Sequence, residues 1–180
     1  MATMAHKAAT ESDLLRTPDD GRKYELVDGE IRVSPGGAQH SQVCVLLVAR
    51  LLGFAAERRL GHVFESSMGF RLPGGNVRSP DVSFVAAGRF PDDEAPVDFA
   101  NLAPDLAVEV VSPGDRPRHV LDKVGEYLEA GVRLVWVMHP QSRRAVVYRS
   151  LEDVRELNDA DELDGQDVMP GFRCRLSDLF

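Results

Sequence analysis

Two acidic residues stand where strand-forming sequence leaves little room for charge. In DLAVEVVSP, Asp105 to Pro113, a run rich in Val, Leu and Ala carries Glu109 at its centre; in SPDVSFVAA, Asp81 follows a proline at the head of a second apolar run. An ionised carboxylate in a buried strand is costly unless a cation or a hydrogen-bond network meets it. Side chains alternate across a strand, so Asp105, Ala107, Glu109 and Val111 share one face and Leu106, Val108 and Val110 the other. By the same alternation Asp81, Ser83 and Val85 oppose Val82 and Phe84. If the strands are neighbours and both carboxylates lie on one face, their oxygens can share a hard divalent cation, with the Val110 carbonyl as a third ligand. Magnesium, with manganese as its substitute, would leave room for waters and phosphate oxygens, as metal-assisted phosphodiester hydrolysis requires. The plain structural alternatives are a turn residue after proline for Asp81 and an arginine partner for Glu109.

A third residue bears on the pair. In the helix expected after SPGDRPR, a rotation of about 100° per residue puts Val120, Leu121, Val124, Tyr127 and Leu128 on one apolar arc, with Lys123 just outside it beside Tyr127. The Lys123 stem can lie on apolar surface while its ammonium reaches inward to a carboxylate pair; an edge lysine turned to water fits the same pattern.

Several elements must position these groups. ESDLLRTPDDG suggests a short opening helix closed by Pro18 and Gly21, and KYELVDGEIRV is a hairpin signal in which Asp28-Gly29 favours a type I′ turn and Glu25 falls opposite Arg32. The longest helix covers roughly residues 38 to 59, with Val43, Leu47, Leu51 and Phe54 on one stripe and Cys44, Val48, Leu52 and Ala55 beside it, an arc wide enough to predict deep burial. Strands follow at HVFESS, MGFRL and SPDVSFVAA, then an acidic, proline-containing loop from Gly88 to Ala103. After the Glu109 strand come a helix from about Arg118 to Ala130, the strands RLVWVM and RAVVYRS, and a tail of further short strands with a docked turn. Interleaved helices and strands make the expected fold class α/β with a mixed β-sheet.

The 180 residues, 43% hydrophobic and 28% charged, suit one domain over 10–180, with a disordered start over 1–9. No repeat is visible, and the longest apolar stretch, VCVLLVARLLGFAA, is broken by Arg50 short of a membrane span, so a cytoplasmic chain without membrane contact is expected. Cys44 and Cys174 read as buried thiols. A net charge of −8 argues against phosphate-driven, non-specific nucleic-acid binding. It leaves room for a local positive rim at Arg78, Arg116 and Arg118, which read equally well as solvated arginines.

In this order KYELVDGEI, a His opening the long helix, SPDV, DLAVEVVSP and DKVGEYLEAGV resemble the Uma-two family of restriction-endonuclease-like proteins, a branch of the PD-(D/E)XK nuclease superfamily, from about Tyr24 to Tyr148. The resemblance implies a restriction-endonuclease-like core, a mixed sheet flanked by helices, with Asp81 and Glu109 as metal ligands in an endonuclease that hydrolyses DNA phosphodiesters. The superfamily lysine two residues after the Glu is absent, since Val111 stands there; Lys123 matches the lysine of this branch, a catalytic lysine supplied from a different backbone position. His119 replaces the acidic residue common four positions earlier, and VMHP replaces an acidic strand end. His40 opens the helix that carries an acidic residue in the superfamily; it either points into the site or is a buried or capping histidine. Glu25 resembles the family's hairpin glutamate and either assists the metal or pairs with Arg32. Two rivals stand beside the nuclease: a catalytically silent nucleic-acid-binding or interaction protein that keeps the fold, and a phosphohydrolase of small substrates. Whether two copies pair as a homodimer to cut both strands is open.

Overall fold

The computed structural model describes residues 8–20, 22–34 and 36–180. The expected disorder over residues 1–7 and the helix-closing Gly21 lie outside them. Ala9 is tied down, its N–H bonding the Gly29 carbonyl at 2.7 Å.

The strand-forming runs assemble into a six-stranded mixed sheet: β3 (Gly61–Glu65), β6 (Val82–Ala86), β7 (Leu106–Val110), β8 (Leu134–His139), β9 (Arg144–Tyr148) and β10 (Val154–Leu157), in the order β10-β9-β8-β7-β6-β3. Only β7 and β8 run parallel; between them α3 (Pro117–Glu129) makes the crossover that parallel neighbours require. The alternation read from the sequence places its residues correctly. Val82, Phe84, Leu106 and Val108 face the buried stripe Val43, Leu47, Leu51 and Ala55 of α2 (Ala38–Arg58), whereas Val85 and Ala107 face Val124 and Tyr127 of α3.

Two helical expectations need correction. One face of α2 packs on the sheet, but Val45 and Leu52 are exposed, and by length and composition this helix is long and apolar enough to cross a membrane. Leu121 of α3 is likewise exposed, because the buried arc is narrower than the apolar pattern. Cys174 is a buried free thiol as expected; Cys44 is only half-buried.

A second sheet has the order β2-β1-β5-β4, from β1 (Lys23–Val27), β2 (Glu30–Ser34), β4 (Phe70–Arg71) and β5 (Val77–Arg78). The two-residue β5 is too short to show a period and was not legible in the sequence. It pairs Val77 with Leu26 and so brings the N-terminal hairpin against the chain leading to Asp81. The hairpin takes the expected register, Glu25 opposite Arg32, and both turn residues have positive φ, 52° at Asp28 and 75° at Gly29. A Cβ on Gly29 would also lie 2.8 Å from the Ala8 Cβ. Gly29→Val is therefore expected to cost about 1–3 kcal/mol, read as a lower midpoint in urea unfolding; an unchanged midpoint would contradict the turn.

α1 (Glu11–Leu14) packs beside β1, and β11 (Glu162–Asp164) with β12 (Arg173–Arg175) forms a small hairpin that closes the α2 side of the core. The acidic segment after β6 contains one 3₁₀ turn, Pro91–Asp93, and a bridge from Ala100 to Phe70.

Candidate active site

Antiparallel pairing of β6 with β7 sets Val82 opposite Val108, so Asp81, one residue outside β6, stands across from Glu109. The Asp81 N–H bonds the Val108 carbonyl at 2.9 Å, continuing the ladder to that residue. The two carboxylates are thus neighbours, only 4% and 7% exposed.

Each is met by donors from several elements. Asp81 Oδ1 accepts from Lys23 Nζ at 2.7 Å, while Oδ2 accepts from the Val110 N–H at 2.7 Å and lies 3.1 Å from His40 Nε2. Glu109 Oε1 accepts from the Tyr127 hydroxyl at 2.7 Å and Oε2 from Lys123 Nζ at 3.1 Å. Val110 turns its N–H, not its carbonyl, to Asp81. Because a strand residue's N–H and C=O point to the same side, that carbonyl faces the same edge.

Lys123 is no edge lysine turned to water. Its ammonium bridges Glu109 and Glu25, 3.1 Å from each. Glu25 is buried in the site; its Oε1 accepts from the Ser79 N–H at 3.0 Å and its Oε2 lies 3.5 Å from Arg78. Despite the shared register, Glu25 does not depend on Arg32, whose guanidinium lies near Asp28 and Glu30. Arg78 is not on a rim either. It is buried, donating to Glu126 of α3 at 2.7 Å, and Asn76 donates to the other Glu126 oxygen at 2.7 Å. Arg116 and His119 line the cleft at its exposed edge; Arg118 is exposed on α3.

Burial pushes against the charges on Asp81, Glu25, Lys23, Lys123 and His40, and pairing overrides it. Burial alone would raise the Asp81 carboxyl, yet Lys23 and His40 hold it far below the usual range. Burial would likewise raise Glu25, but Lys123, Lys23 and Arg78 lower it. Against burial, Glu109 and Glu25 raise Lys123, and Glu109, Asp81 and Glu25 raise Lys23. The hydrogen bond to Asp81 first, and the Cys44 thiol 3.7 Å from Nδ1 second, push His40 up to about 10. A histidine raised from 6.5 in the unfolded chain to about 10 in the folded one stabilises fully below pH 6.5. That stability is lost as pH rises towards 10. The melting temperature is expected to fall across this window, and His40→Gln should flatten the fall; a His40→Gln profile parallel to wild type would contradict the pairing.

The sequence pattern missed Lys23, although the signal was present. Lys23 and Glu25 are two apart on β1 and share a face, so any placement of Glu25 in the site carries Lys23 with it. Tyr127 lies on the apolar arc of α3, yet its hydroxyl donates to Glu109. Lys23, Glu25, His40, Asp81, Glu109 and Lys123 line a cleft of 1370 Å³, as do Val45, Val48 and Ala49 of α2.

Carboxylates on adjacent core strands, a crossover helix carrying the lysine and a mixed sheet between helices define a restriction-endonuclease-like fold. The crystal structure of a "putative nuclease belonging to DUF820" from Anabaena variabilis shares that fold, with a TM-score of 0.82 at 20% identity, over 95% of this chain and 97% of that one. A family model described as "Putative restriction endonuclease", Uma2, matches residues 11–177, and the chain belongs to that family. Comparison with curated proteins gives no match.

Proposed function

We propose that the chain is a magnesium-dependent endonuclease acting on DNA phosphodiesters, with manganese as a working substitute. The observation that carries this reading is the pair of buried carboxylates side by side, Asp81 just before β6 and Glu109 on β7, at the wall of an open cleft. Among the described residues no group of three His, Cys, Asp or Glu side chains is arranged to hold a metal. A hard cation that keeps its own waters needs only one or two carboxylates, so Asp81 and Glu109 fit magnesium, with the Val110 carbonyl as the main-chain ligand. Such an ion would polarise the scissile phosphate and lower the pKa of a bound water.

The chain's own groups supply the rest. Glu25 and Glu109 keep Lys123 charged and aimed at the carboxylate pair, where an ammonium orients the attacking water or offsets charge developing on the phosphate. Tyr127 fixes one Glu109 oxygen, and the Val110 N–H with His40 fixes one of Asp81, so neither carboxylate is free to rotate. Glu25 and His40 act as positioning residues in this reading.

One observation favours a silent relative that keeps the fold. Glu25, Asp81, Glu109 and Glu126 already face Lys23, Lys123, Arg78 and a protonated His40, so the buried charges balance within the chain. Supercoiled plasmid incubated with manganese separates the two. Nicking by the wild type that chelation stops and Asp81→Ala lacks supports the nuclease; equal nicking by Asp81→Ala contradicts it.

A further inference from the structure

We propose that Lys23 stands in the cation's place on Asp81 and must leave that carboxylate for a divalent ion to bind. The inference rests on the metal reading above and adds a residue that opposes it.

The four oxygens of Asp81 and Glu109 differ in how readily each donor can yield. Asp81 Oδ2 is held by the main-chain N–H of Val110 at 2.7 Å, which β7 fixes, and by His40. Glu109 Oε1 is held by Tyr127, which is wholly buried, and Oε2 by Lys123, which is anchored a second time by Glu25. Asp81 Oδ1 is different. Its partner is the ammonium of Lys23 at 2.7 Å, carried on a flexible four-carbon stem at the first residue of β1, where the side chain borders the cleft. Lys23 is in direct contact with one carboxylate where Lys123 is in contact with two, so fewer direct contacts break when it moves. The 1370 Å³ cleft gives it space.

The charges require this exchange. Lys23 is 9% exposed and Asp81 5% at the side chain, so little water separates an ammonium there from a dication on the same carboxylate. Two like charges a few ångströms apart in such surroundings repel strongly. Lys23 also has a use before the ion arrives: without it the buried Asp81 would keep only His40 and the Val110 N–H, both on Oδ2, and its Oδ1 would lose its partner. The side chain therefore keeps the acidic pair folded and pre-oriented and lowers the affinity of the same pair for metal.

Calorimetric titration of manganese chloride into wild type and Lys23→Met at constant pH and ionic strength tests this. Lys23→Met should bind manganese at least about tenfold more tightly, since removing a unit charge near a cation shifts affinity by a factor of that order or more. It should melt lower than wild type without metal and gain more from added manganese. A merely structural lysine would lower the melting temperature without tightening the metal. Equal or weaker binding by Lys23→Met, with the wild type binding, overturns the inference and leaves the metal site standing. No binding by either protein overturns both. Should Lys23→Met not fold, Lys23→Gln, whose amide still donates to Asp81, carries the same titration.

Discussion

Glu109→Gln is expected to remove both cleavage and the rise in melting temperature that manganese gives the wild type. At a hundredfold excess over Kd, a ligand binding only the folded state stabilises it by about 2.7 kcal/mol. For a chain of this size that is a rise of roughly 5–10 °C. The amide variant keeps the side chain's shape, and its oxygen still accepts from the Tyr127 hydroxyl, now 2.7 Å from Glu109. Its NH2 then faces Lys123, whose ammonium keeps Glu25 as its partner, so each protein is compared with its own metal-free melting temperature. Truncation to alanine would strand that hydroxyl and the Lys123 ammonium, confounding lost metal with lost stability. Differential scanning calorimetry with and without manganese is the measurement; an undiminished rise in Glu109→Gln would remove Glu109 from the metal site.

Lys123→Ala should lower cleavage by about 10²-fold or more, the scale for losing a positioned charge in a reaction that builds negative charge. It should also destabilise the protein. The Lys123 ammonium lies 3.1 Å from both Glu25 and Glu109, and removing one side of a buried ion pair costs about 3–5 kcal/mol. Against a total stability of about 5–15 kcal/mol that leaves a folded but weakened protein at low temperature. The rate must accordingly be measured where circular dichroism shows the variant folded. Lys123→Arg should restore more stability than activity, since a planar guanidinium can pair with both carboxylates without reproducing a compact ammonium at that depth. Cleavage at the wild-type rate by folded Lys123→Ala would exclude it from the chemistry and leave it as a counter-ion.

Much of the site was legible because strand alternation is a strict period. Glu109 interrupts an apolar run and Asp81 heads another, each on a single strand face, and that conflict marks both as candidates in the sequence. The helix period likewise put Lys123 beside Tyr127. What the pattern could not reveal is long-range. Arg78 lies on a two-residue strand with no period of its own, so nothing local distinguished its buried guanidinium, paired with Glu126, from a surface arginine. Glu25 had a sound cross-strand partner in Arg32 by register, and only the docking of β1 on β5 turns it to Lys123 instead. The exposed Val45 and Leu52 on α2 show the limit on the apolar side. Composition set the width of the hydrophobic arc, but the width of the sheet surface decided how much of it was covered.

The most direct test is the anomalous difference density of a crystal soaked in manganese. We expect a peak bonded by carboxylate oxygens of Asp81 and Glu109, with the Val110 carbonyl in reach and the Lys23 ammonium moved off Asp81. Lys23 and Lys123 still seated on the two carboxylates, with no manganese between them at saturating soak, would contradict the account.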